Sequence, residues 1–95
     1  MKNAYVVGQI TVKNPERWAE YRSQVPATLI PWGGELVFRG TKVAEWAGQN
    51  RHPETVVIRF PSLEAAHGWF ASPAYQMLIP LRQQAADVDL LAYET

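Results

Sequence analysis

The chain predicts an α+β fold, a four-stranded antiparallel sheet with helices on one face. Three observations predict it. Segments whose apolar residues alternate with a period of two are separated by stretches with a period of roughly 3.6, so strands and helices are interleaved. The two middle strand segments are joined by turn residues alone, Gly48 to Pro53, which marks a hairpin. The resulting order is strand, helix, hairpin, helices, strand. With right-handed crossovers this βαββαβ order gives the ferredoxin-like arrangement.

The first strand is read over Ala4 to Val12, rich in β-branched residues. Ala4, Val6, Gly8 and Ile10 form its helix side, and Tyr5, Val7, Gln9 and Thr11 its opposite side. Asn14-Pro15 then supplies an N-cap and a proline at the first helical position, with Glu16 where the helix dipole favours an acid. Trp18, Tyr21, Val25 and Leu29 make the buried stripe of this helix; Pro26 is expected to bend it, and Pro31 with Gly33-Gly34 to end it. Trp32 falls where the chain turns back.

From Glu35 the alternation puts Leu36 and Phe38 on one face, and Glu35, Val37 and Arg39 on the other. Gly40 is expected to interrupt this strand as a bulge before Val43 to Ala47 continues it. Glu54 to Phe60 returns with Val56, Ile58 and Phe60 toward the helices. Ser62 and Ser72-Pro73 cap two further helices, the first packing Leu63, Ala66 and Phe70 inward with Trp69 at the edge. The second packs Tyr75, Leu78 and Ile79, puts Arg82 on the stripe of Tyr75, and should break near Met77 to Pro80 because Pro80 has no N–H to donate. Asp87 to Glu94 closes the sheet.

Composition narrows the function classes. The chain has 95 residues and no composition shift, so one domain is expected. Nine basic and nine acidic side chains, unclustered, give no footprint for nucleic acid or an anionic membrane. Cysteine is absent, which removes disulfides and thiolate chemistry. No stretch approaches a membrane span or the apolar core of a signal peptide, so a cytoplasmic protein is expected. The histidines have no metal-ligand spacing, and neither a metal nor a cofactor is expected. Four Trp, four Tyr and three Phe exceed what so small a core hides. The helix-free sheet face, with Tyr5, Val7, Val37, Val57 and Leu91, is too apolar for water, and a second copy of the same sheet is the simplest cover.

Several separated motifs agree in order with one family. "SLEAAHGWFASPAYQ" followed by "LR", "PERWAEYRSQVP" followed by "GGELVFRG", and "VVIRFPS" resemble the DUF1330 proteins over nearly the whole chain. The resemblance implies a dimeric α+β barrel in which two ferredoxin-like sheets face each other. It implies no established reaction. Related barrels include cofactor-free monooxygenases, lactone isomerases and haem-degrading enzymes, but kinship of fold does not transfer chemistry.

Arg39 and Arg59 carry the sharpest hint of a site. Both are expected on the helix-free face, where with Tyr5, Gln9 and Tyr93 they would bind a carboxylate or an enolate. The plain alternative is pairing with Glu35 or Glu45 at the rim. Arg82 and the hairpin Trp46 complete the candidate ligand set, and no catalytic residue is assigned. His52 is expected in solvent because it sits in a turn. His67, beside the inward stripe of its helix, is expected at a rim. Two functions fit: a dimer that binds a small anionic or carbonyl-bearing ligand in a pocket between sheet and helices, or a cofactor-independent enzyme acting on a small organic acid or polyketide-like compound.

Overall fold

A computed structural model describes residues 2–95. Strand β1 (Ala4–Val12) leads into helix α1 (Pro15–Leu29), a single 3-10 turn (Ile30–Trp32) and strands β2 (Glu35–Thr41) and β3 (Glu54–Phe60). Helices α2 (Leu63–Ala71), α3 (Pro73–Gln76) and α4 (Ile79–Ala85) follow, and strand β4 (Ala86–Glu94) ends the chain. The sheet order is β2-β3-β1-β4, every neighbouring pair antiparallel. This is the ferredoxin-like topology.

Local chemistry sets the ends of the elements. Asn14 Oδ1 accepts from the Arg17 amide, Ser62 Oγ from that of Ala65 and Ser72 Oγ from that of Tyr75, so each hydroxyl or amide oxygen satisfies a donor the first helical turn leaves free. Gly33, at φ 69°, closes the 3-10 turn in the left-handed region. The helical run breaks at Met77–Leu78, one turn below Pro80, as the missing N–H requires. Trp32 folds back over α2 at Gly68, where a Cβ would stand 2.3 Å from the indole.

Between sheet and helices lies one apolar cluster built on Ile10, Phe60, Trp69 and Tyr75, the largest fully enclosed side chains. Trp69 is 2% exposed and Phe70 42%, the reverse of the expected assignment. The helix is phased on Ala66 and Trp69, and the indole is held inside by its Nε1 donating to Thr28 Oγ1 at 3.0 Å. An indole with a buried acceptor can go further inward than a ring at the helix edge.

The hairpin departs from expectation twice. Strand β2 stops at Thr41, and Val43 to Ala47 is loop, not strand. The irregularity in β2 lies at Val37, not Gly40: Leu36 pairs with Ile58, yet Phe38 pairs with Val57 and Arg39 with Val56. One extra residue reverses every later side chain. Phe38 therefore joins the helix-free face, and Arg39 turns under α1.

Candidate functional site

The bulge decides the site. Arg39 and Arg59 do not share a face, because Arg39 is level with buried Val56 while Arg59 is level with Tyr5 and Glu35. Arg59 Nη2 donates to the Glu35 carboxylate on the helix-free face, the plain alternative for such a residue. That bond and the glutamate charge raise the Arg59 pKa. Tyr5 faces Tyr93 across the sheet, also on the helix-free side. Gln9 is engaged by its neighbours, its Oε1 accepting from Thr55 Oγ1 at 2.9 Å and Asn50 Nδ2 at 3.1 Å. Trp46 is 97% exposed on the loop. The expected constellation of Arg39, Arg59, Tyr5 and Tyr93 is thus divided between two faces.

A cleft of about 370 Å³ opens on the helix side instead, between β4 and helices α2 and α4. Val6, Val88, Leu90, Trp69 and Phe70 form its walls, and Arg82 and His67 are its polar side chains. Volume and lining are those of a small-molecule site. The position of Arg82 follows from the stripe it shares with Tyr75: Arg82 Nη1 donates to the Tyr75 hydroxyl at 2.9 Å, and the Tyr75 and Tyr21 hydroxyls lie 2.8 Å apart. A chain of three polar groups thus runs from the cleft into the core. Burial, reinforced by Tyr75, pushes the Tyr21 phenol far above its ordinary range, so its hydroxyl keeps its proton at neutral pH.

A polar hollow lies on the opposite face. The loop after β2 folds over the end of the sheet, where Arg51 reaches Asp87 at 2.6 Å and Asp89 at 3.7 Å. His52 is buried, contrary to expectation, with 3% exposure. Its Nε2 donates to Asp89 Oδ2 at 2.9 Å, and its Nδ1 shares a hydrogen bond with the Thr11 hydroxyl at 2.9 Å. These contacts are spent on holding the loop down. No group of three or more His, Cys, Asp or Glu that could hold a metal comes together among the described residues.

The model of the family described as "Domain of unknown function (DUF1330)" matches residues 3–95. The chain belongs to the DUF1330 family. Its fold recurs in solved structures: a protein of unknown function from Rhodopseudomonas palustris has a TM-score of 0.80 at 17% identity, over 96% of this chain and 80% of that one. SnoaB, a cofactor-independent oxygenase from Streptomyces nogalater, reaches 0.71 at 11% identity, over 98% of this chain and 92% of its own. A dimeric ferredoxin-like protein of unknown function from Jannaschia sp. CCS1 reaches 0.71 at 14% identity, over 98% and 99%. Such identities establish a shared fold and nothing of the chemistry. No curated protein matches the chain. No helix of the DUF1330 chain, among the described residues, is long and apolar enough to cross a membrane.

For this DUF1330 protein, sequence reasoning placed Arg82 on the stripe that meets the cleft and missed Tyr21, Tyr75 and Trp18 as polar groups. The apolar pattern shows their rings and not their polar atoms. The signal was the seven-residue spacing of Tyr75 and Arg82, and the break at Met77–Leu78 still leaves the two side chains in contact.

Proposed function

We propose that the protein binds a small organic ligand, anionic or carbonyl-bearing, in the cleft between β4 and helices α2 and α4, and that it does so as a homodimer joined through the helix-free sheet faces. The observation that carries the first part is the cleft itself, apolar walls with Arg82 among the lining residues and its guanidinium anchored by Tyr75. A forked cation in a partly desolvated setting recognises a carboxylate or an enolate oxygen. The second part is supported by Phe38, Leu91 and Tyr93, 52%, 45% and 55% exposed on one side of the sheet with Val7 and Val57 between them. Solved proteins described as dimeric share the fold. The single domain read from the sequence and a location in the cytoplasm belong to the same proposal.

One observation favours a second reading, a reaction without a cofactor. The Arg82–Tyr75 pair, backed by Tyr21, can hold an enolate oxygen at the cleft, and SnoaB, of like fold, is a cofactor-independent oxygenase. Calorimetric titration with 2-naphthoate and its methyl ester tests the binding. The wild type should bind both, and Arg82→Met should weaken the anion by about 1.5–3 kcal/mol, the worth of a charge-assisted hydrogen bond. Loss of neither ligand in that variant, or no binding by the wild type, rejects the cleft.

A further inference from the structure

A second space lies on the other side of residues that wall the cleft. It is a chamber of about 30 Å³, room for one water-sized group, and the two spaces share Trp69, Val88 and Leu90 as walls. Gly8 forms part of its floor, where a Cβ would stand 2.8 Å from Val56 Cγ1 and 3.4 Å from Leu90 Cδ2. The wall opposite comes from α1 and from Arg39, which the Val37 bulge delivers to this side.

Two N–H donors of that wall, Trp18 Nε1 and Arg39 Nη1, are buried and have no hydrogen-bond partner among the described residues. Trp18 is 7% exposed, and the contrast with Trp69, whose Nε1 is satisfied by Thr28, is direct. An unpaired buried donor costs free energy unless something fills the place of its partner. Neither Arg39 nor Arg82 forms an ion pair with a carboxylate among the described residues, so the positive charge beside the chamber is not neutralised by direct contact.

We propose that this chamber is a subsite for an anionic oxygen, in which Arg39 and Trp18 hold the phenolate, enolate or carboxylate oxygen of a ligand whose apolar body lies in the cleft. The inference rests on the cleft being a ligand site and adds what the ligand must carry and where. It needs a flat body able to pass between Trp69 and β4. A neutral oxygen would satisfy the donors but leave the surplus positive charge unanswered, which is why the anion is favoured.

4-Nitrophenol and nitrobenzene separate the possibilities, because the nitrophenolate is visible by its absorbance. Bound to the wild type, nitrophenol should ionise at lower pH than in buffer. Arg39→Met should abolish that shift and weaken the phenolate by about tenfold or more while nitrobenzene binds as before. Trp18→Phe, which keeps an aromatic ring and removes the N–H donor, should lose part of the shift, and Arg39→Lys, which keeps the charge without the forked donors, should retain part of it. An unchanged shift in Arg39→Met, or one removed by Arg82→Met alone, overturns the subsite and leaves the cleft standing. Failure of both probes to bind the wild type overturns the cleft and the subsite together.

Discussion

Replacing Tyr75 by Phe tests the polar chain that links core and cleft. The ring is fully enclosed, so the substitution changes no volume of consequence and removes one oxygen. That oxygen accepts from Arg82 Nη1 at 2.9 Å and shares a hydrogen bond with Tyr21 at 2.8 Å. Arg82 is only partly buried and can turn to water at the cleft mouth, so its loss lies at the low end for a charged partner. Tyr21, 8% exposed, cannot, and keeps a stranded hydroxyl. Together these give about 2–3 kcal/mol of destabilisation. Tyr21→Phe removes the same Tyr–Tyr bond but leaves Tyr75 bonded to Arg82, and should cost about 1 kcal/mol. The double variant strands nothing, so it should fall short of the sum by about 1 kcal/mol. Urea unfolding at fixed protein concentration and constant slope gives all four values. A Tyr75→Phe protein as stable as the wild type, or strict additivity, would refute the chain as drawn.

Further outcomes follow from other contacts. Phe38→Glu or Leu91→Glu should convert a dimer to monomers in sedimentation at micromolar concentration without loss of far-UV dichroism; a wild type that sediments as one chain defeats the sheet-to-sheet pairing. Gly68→Ala should lose about 1–3 kcal/mol in thermal or urea unfolding, since Trp32 occupies the place of the new methyl; an unchanged midpoint would show that the indole is not held there. The hydrogen bond and charge of Arg51 hold the Asp87 carboxyl below its ordinary value, so the pair's stabilisation is present above the unfolded-state pKa and lost as pH falls through the folded one. Asp87→Asn should therefore be less stable than the wild type near neutrality and match it at the acid end, and a gap constant with pH would contradict this.

Much of the fold was legible because each element carried redundant marks. β1 alternates and β4 alternates, α1 has both a cap and a proline at its start, and Pro80 announced the break before α4. The hairpin was less legible for a physical reason. A bulge usually advertises itself by glycine, and the one in β2 is at Val37, a strong strand former, with Gly40 in regular register opposite Thr55. A single unpaired residue put Arg39 on the wrong face, and with it the expected site. Val43 to Ala47 has strand composition but is fastened as a loop by Lys42, which reaches Glu45 and the Asn50 carbonyl. His52 looked solvated because turns are, yet the loop folds back onto Thr11 and Asp89, partners more than thirty residues away and invisible in local pattern. Arg82 was placed by helical spacing alone.

The indole N–H resonances offer the most direct test of ligand binding on the helix side, because the four tryptophans report from different places. Trp69 lines the cleft, Trp18 the chamber, Trp32 packs on α2 and Trp46 stands in solvent on the loop. Titrating labelled protein with 2-naphthoate should move the Trp69 and Trp18 signals together and saturably, with Trp46 unmoved. A saturable shift of Trp46 with Trp69 and Trp18 unchanged, or no saturable shift in any of the four, would contradict binding between sheet and helices.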